Sequence, residues 1–287
     1  MAKFLLNDFM IKDHIISALK EDVGYGDIST DFICADIDKN KKFEILLKTR
    51  EEGILCGCDP FRLVFEILAK DDVKVEFYKE DGDKITPNEP IAKITGSPRY
   101  ILTGERLALN YIQRMSGIAT FTKKFQDIAK PYGARVVDTR KNTTNFRIFE
   151  KYAVKVGGGH LHRFNLCDCV MLKDNHIALM GGSIEEAVKK VKQNLSHAHK
   201  IEVECDTIEQ VKKCLNSGVD IIMLDNMTPS MVKECVALIN KQAIIEISGS
   251  VNLSNLEELA KTGADIISTS AIVAKAPTLD LAFDYEG

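Results

Sequence analysis

Long apolar runs are absent from this 287-residue chain: none reaches the roughly 18 to 20 residues that a membrane-spanning helix requires. An excess of positive charge is absent too. Lys and Arg number 38 against 42 Asp and Glu, a formal net charge of -4, so neither nucleic acid nor an anionic membrane is an expected partner. Residues 1–8 form too short a stretch, and turn acidic too soon, to read as a signal peptide. A cytoplasmic location is the expectation. The eight cysteines lack metal-site spacing: no pair is separated by two residues, while Cys56/Cys58 and Cys167/Cys169 are each separated by one. They read as reduced cysteines acting as small hydrophobes. There is no Pro/Gly/Ser-rich linker, no low-complexity stretch and no Gly-x-Gly-x-x-Gly turn between a strand and a helix.

What is present is enough apolar material, 45% of residues, for one large domain or two moderate ones. The texture changes near the middle. Residues 43–48 and 73–78 read as strands, and Phe61, Val64, Phe65 and Leu68 have helical spacing. A long helix is expected from about Gly104, with Leu107, Leu109, Ile112 and Met115 among polar residues. From Ala134 onward, short apolar strands alternate with amphipathic helices. Strands are expected at 135–138, 154–156, 169–172, 201–204, 221–224, 244–247 and 266–268, with helices at 184–193, 208–216, 229–239 and 256–262 between the later ones. This rhythm predicts an α/β fold with a parallel sheet, either a barrel one strand short of eight or an open doubly wound sheet.

The chemistry gathers where the strands end. The first expected strand runs into Asp138, Thr139, Arg140 and Lys141, and the third into Lys173, Asp174, Asn175 and His176. Later ones end at Glu204, at Asp225-Asn226, at Ser248-Gly249-Ser250 and at Ser268-Thr269-Ser270. In a parallel barrel these carboxyl ends share one face. A single such residue would be a solvated loop start; a succession of them describes a site. The second strand leads into Gly157-Gly158-Gly159, followed by His162 and Arg163. Glycines there let backbone approach a ligand closely. Arg140, Lys141, His162, Arg163 and Lys173 concentrate positive charge in an acidic chain, which suits carboxylates or phosphates. Glu204 and Asp225 can hold magnesium against phosphates or stabilise a cationic sugar-like transition state. This chemistry leaves a transferase and a lyase both open, including an aldolase using Lys173 as a Schiff base.

At these residues the chain resembles the quinolinate phosphoribosyltransferases, the carboxylating nicotinate-nucleotide pyrophosphorylases. The resemblance runs through Glu21-Asp22-Val23-Gly24-Tyr25-Gly26-Asp27, Glu105-Arg106-Leu107-Ala108-Leu109-Asn110, Asp138-Thr139-Arg140-Lys141, Gly157-Gly158-Gly159, Leu172-Lys173-Asp174-Asn175-His176 and Leu224-Asp225-Asn226-Met227. It implies an N-terminal α/β open-faced sandwich (residues 1–114, joined by 272–287) and an irregular, seven-stranded α/β barrel (residues 115–271). It also implies a homodimer, or a higher oligomer built from it, in which Arg106 reaches the partner's site. There it would join Arg140, His162, Arg163 and Lys173 at the two quinolinate carboxylates, with Lys141 nearby and able to serve either substrate. Glu204 and Asp225 would face the ribose and the magnesium of phosphoribosyl pyrophosphate. Thr139, Ser248, Gly249, Ser250, Ser268 and Ser270 would complete the substrate surface. The catalytic group would be Lys141, Lys173, Glu204 and Asp225, the cofactor Mg2+ and the product nicotinate mononucleotide. The sequence departs from the family pattern at Asn142-Thr143-Thr144-Asn145, where Thr-Thr-Pro-Gly is common, and at Ser250 and Ser270, where glycine is common.

Overall fold

The computed structural model of the chain describes residues 6–38 and 41–285; residues 1–5, within the opening stretch considered above, lie outside the described residues. In chain order the elements are α1 (Asp8–Val23), α2 (Ile28–Ile33), β1 (Phe43–Thr49), β2 (Gly53–Ile54), α3 (Cys58–Ala69), β3 (Val73–Phe77), β4 (Lys84–Ile85), β5 (Pro90–Gly96) and α4 (Pro98–Ala129). Then follow β6 (Arg135–Val137), α5 (Arg147–Val156), β7 (Val170–Leu172), α6 (Asp174–Leu179), α7 (Ile184–Lys192), β8 (Ile201–Cys205) and α8 (Ile208–Ser217). The last are β9 (Ile221–Asp225), α9 (Pro229–Ile239), β10 (Ile244–Ser248), α10 (Leu256–Ala260), β11 (Ile266–Ser268), α11 (Ala271–Ala274) and β12 (Leu281–Asp284).

Two compact units result. The first takes residues 1–121, 144–158 and 276–287. Its sheet is antiparallel in the order β12-β1-β5-β3, so the chain's last strand pairs with the first, Leu46 opposite Asp284. Phe61 and Phe65, at the helical spacing noted above, are fully buried on α3. The Phe61 ring lies 5.6 Å from that of Phe77 and 5.9 Å from that of Phe283, edge-on in both cases, the geometry aromatic quadrupoles prefer. Helix α4 begins at Pro98, ahead of Gly104, because proline is tolerated in a first turn. Within it, a Cβ on Gly117 would fall 1.9 Å from the Pro277 carbonyl oxygen, so the close approach of that segment requires glycine.

The second unit takes residues 122–143 and 159–275. It holds a six-stranded, all-parallel sheet in the order β6-β11-β10-β9-β8-β7. One expected strand is absent. Residues 154–156 lie in helix α5, which buries Phe149, Tyr152, Ala153 and Val154 in the first unit. A three-residue alternation cannot distinguish a strand from a helix end; the burial at three- and four-residue spacing decided it. The seventh sheet position is filled instead by a single parallel bridge between Val137 and His160.

Register places the site. Glu202 lies opposite Met171 and Glu204 opposite Met223, while β10 sets Glu246 beside Met223 and Ser248 beside Asp225. Residues of one parity along a strand share a face. On β8 to β10 the other parity, Val203, Ile222 and Ile247, is buried and apolar. The chemistry-bearing parity therefore faces a single cavity.

Candidate active site

That cavity, of about 440 Å³, is lined by side chains from every strand of the parallel sheet or from the loops that follow them. Of the residues expected from the sequence, it brings together Thr139, Arg140, Lys141, His162, Arg163, Lys173, Glu204, Asp225, Ser248 and Ser268. Met171 and Met223 add apolar wall. Gly249, Ser250 and Ser270 are not among the lining residues. Gly249 has φ 95°, and a Cβ there would sit 2.2 Å from Asn226 Oδ1, so glycine lets the loop pass Asn226. Ser250 takes φ 53°, and its carbonyl oxygen accepts from the side-chain amides of Asn252 and Asn255. Ser270 begins α11. Arg106 belongs to the first unit, where it lines a separate hollow with Asp22, Gly26, Asp27, Ser29 and Thr103.

At the cavity rim, Lys173 Nζ is ion-paired with Glu204. The adjacent backbone is fixed locally: Lys173 N–H donates to His176 Nδ1 at 3.0 Å, capping α6. His176, read with the strand-end chemistry, thus sets the turn after β7. Asn226 Nδ2 donates to Asp225 Oδ2 at 2.6 Å, fixing that carboxylate's orientation. On the basic side, Arg163 reaches Met171 Sδ with Nη2 at 3.1 Å. Arg140 has its Nε buried with no hydrogen-bond partner among the described residues. A buried unmatched donor is costly, and an anionic ligand would satisfy it.

Beneath the rim lies a cluster that the reading of strand ends passed over. Glu202 and Glu246 sit two residues before Glu204 and Ser248 and are 1% and 2% exposed. His162 Nε2 lies 3.4 Å from Glu202 Oε1 and 3.3 Å from Glu246 Oε1. Its Nδ1 accepts the Arg163 backbone N–H at 2.7 Å. The loop carrying it is held by buried Asp138, whose Oδ1 accepts the His162 backbone N–H at 2.8 Å. Burial alone would lower the His162 pKa, but the two glutamates outweigh it and raise it to about 10. Burial, with Glu246 adding to it, pushes the Glu202 carboxyl upward against the opposing pull of His162. The sequence did hold a signal for both acids: each sits inside an otherwise apolar stretch of strand, two residues before a site residue and at its parity.

Residues 27–116 match the family model for the quinolinate phosphoribosyl transferase N-terminal domain, and residues 118–284 match that for the C-terminal domain. The chain is 36% identical to a probable carboxylating nicotinate-nucleotide pyrophosphorylase of Methanothermobacter thermautotrophicus, over 96% of this chain and 99% of that one. It is 37% identical to the probable enzyme of the same description from Bacillus subtilis, over 97% and 94%. Among solved structures, NadC from Streptococcus pyogenes superposes with a TM-score of 0.92 at 37% identity, covering 97% of each chain. With both domain models matched in order and relatives aligned over nearly their full length, this chain belongs to the quinolinate phosphoribosyltransferase family.

Proposed function

We propose how this chain, a carboxylating phosphoribosyltransferase of NAD biosynthesis by its family, divides that reaction among its side chains. The reaction joins quinolinate to phosphoribosyl pyrophosphate and releases pyrophosphate and carbon dioxide, leaving nicotinate mononucleotide. The observation that carries the assignment is the polarity of one cavity: Arg140, Lys141, Arg163 and Lys173 meet Glu204 and Asp225 within it. A dianionic acid suits the basic half, with the unmatched Arg140 Nε as a ready donor. His162 flanks that half. Holding both carboxylates aims the ring nitrogen at the anomeric carbon. Glu204 and Asp225 face the sugar, where positive charge develops as pyrophosphate leaves. Ser248 and Ser268 offer hydroxyls to the phosphoribosyl group.

Magnesium fits this donor set as a passenger on the substrate. Glu204 and Asp225 are not part of any three-ligand group among the described residues. One or two carboxylates plus phosphate oxygens is the usual magnesium environment. Bound there, the ion would neutralise the leaving pyrophosphate.

A homodimer with shared sites is also part of the proposal. Phe9, Ile28, Phe32 and Ile33, on α1 and α2, are strongly exposed for apolar side chains. A second copy of the chain would cover such a surface. Arg106, on α4 beside Asp27 and Ser29 in its own hollow, would then serve the partner's cavity. The proposal places the chain in the cytoplasm, where Cys205 and Cys214, whose thiols share a hydrogen bond at 3.4 Å, would stay reduced.

The test is turnover of quinolinate against nicotinate with phosphoribosyl pyrophosphate and magnesium. Nicotinate leaves part of the basic half unmatched, at about 1 to 3 kcal/mol for each buried donor, so its kcat/KM should be lower by at least about tenfold. Equal use of the two acids would overturn the assignment. For the shared site, Arg106→Ala chains mixed with Lys173→Ala chains should regain activity. No recovery after demonstrated subunit exchange would refute it.

A further inference from the structure

The reaction has an unmet need for a proton. Once quinolinate is alkylated on nitrogen, the bond from C2 to its carboxylate breaks and carbon dioxide leaves. The electron pair stays on C2, next to the positive nitrogen. A C–H bond must form there to give nicotinate mononucleotide. The rim groups are engaged otherwise: Lys173 with Glu204, and Asp225 with Asn226. Beneath them, Glu202 and Glu246 keep buried carboxylate oxygens without an aligned hydrogen bond among the described residues.

Resting on the reaction proposed above, we infer that His162, Glu202 and Glu246 form a proton store at the cavity floor, and that the Glu246 carboxyl delivers the proton to C2. Geometry fixes the proton count. Nδ1 of His162 accepts the Arg163 N–H, so it carries no proton in this arrangement, and the ring hydrogen is on Nε2, between the two glutamates. Both oxygens of Glu202 and Oε1 of Glu246 are buried without an aligned hydrogen bond. Two such anions facing one neutral imidazole are strongly disfavoured in a dry site. The cluster therefore holds one further proton, shared by the carboxyls.

The Nδ1 contact also argues against a metal bound here by His162 Nε2, since a neutral ring with an accepting Nδ1 has no lone pair left on Nε2. Of the two acids, Glu246 lines the cavity and Glu202 lies behind it. Glu246 is thus the donor, and Glu202 and His162 are positioning residues that hold the proton in place. In each turnover the Glu246 O–H bond breaks as C2–H forms. One proton from water, passed through the cluster, restores the carboxyl.

Single-turnover experiments with enzyme in excess separate the two chemical stages. Pyrophosphate release reports phosphoribosyl transfer; carbon dioxide and nicotinate mononucleotide report the later stage. In Glu246→Gln, which keeps shape but cannot supply an acidic proton, pyrophosphate release should stay within about threefold of the unmodified enzyme. Nicotinate mononucleotide should form at least about 10²-fold more slowly, the ordinary scale of general acid catalysis, with quinolinate mononucleotide accumulating. Glu202→Gln, away from the cavity wall, should show the same split to a smaller degree and serves if the first variant fails to fold. Equal slowing of both stages would show that the acids only shape the site. No slowing of either would place the proton source elsewhere. Both results overturn the inference while the phosphoribosyltransferase reading stands. That reading fails separately if the unmodified enzyme releases no pyrophosphate with quinolinate.

Discussion

The rim and the floor of the cavity are built from the same strands, two residues apart, yet they hold charge in different ways. At the rim, the Lys173 side chain is 44% exposed and that of Glu204 15%, and they neutralise each other as an ion pair. At the floor, Glu202 and Glu246 are almost fully enclosed and share a single imidazole. Water and the exchange of partners make the rim adaptable, so an arriving anion can take Lys173 and leave Glu204 to a sugar or a cation. The floor has no such freedom. Its charge is set by protons, because an ionised carboxylate without a partner is far costlier there than at the rim. One strand thus presents a binding group and a proton-handling group simply by moving two residues deeper.

The widest separation between the two levels should come from neutralising the acidic rim. Glu204→Gln and Asp225→Asn are each expected to lower kcat by about 10²-fold, as for removal of one well-placed electrostatic group. Calorimetric quinolinate affinity should stay nearly unchanged, because like charges do not hold a carboxylate. Loss of quinolinate binding in a folded variant would erase the division of the rim into acid-binding and sugar-binding halves.

A smaller effect should follow Gly249→Ala. The new Cβ would press on Asn226 Oδ1 and its backbone nitrogen, at 2.2 and 2.8 Å, with φ at 95°. We expect a stability loss of about 1 to 3 kcal/mol, measured by urea denaturation. Because Asn226 orients Asp225, kcat should fall with it while quinolinate affinity holds. A variant as stable as the parent would mean that the loop relaxes freely.

The mildest expected effect is on stability against pH. His162 is raised from 6.5 to about 10 in the folded chain. The folded state binds this proton more tightly than the unfolded one, so the contribution is complete below about pH 6.5 and disappears as pH rises through about 10. The upward shift of Glu202 acts in the same direction. Thermal midpoints of the parent should therefore fall between pH 6.5 and 10 more steeply than those of Glu202→Gln, in which one of the groups holding the proton is gone. Parallel curves would show that the floor does not retain its proton.

Much of this was legible in the residue order. Strands β8, β9 and β10 stand within a residue of their expected ends, because each is an apolar run closed by a charged or small polar residue. Helix α9 matches its expected span, since Pro229 after Thr228 marks the start, with the Thr228 hydroxyl oxygen accepting from Met231 N–H. Residues 154–156 misled, because a valine pair around Lys155 fits both periods. The compact units also cut the chain differently from the expected boundary, setting residues 144–158 with the first unit. No composition shift marks those junctions.

By itself the sequence determined the alternation of strands and helices, the run of polar residues at the strand ends and, through them, the family. These depend on local periodicity and on residue type, which a linear reading preserves. Tertiary structure alone decided which charges meet. Glu202 on β8 and Glu246 on β10 are 44 positions apart in the chain, and only the parallel register with β9 between them sets both against His162. Whether an acid inside an apolar strand is a buried cost or a held proton depends on what stands opposite it, and the pairing of strands settles that.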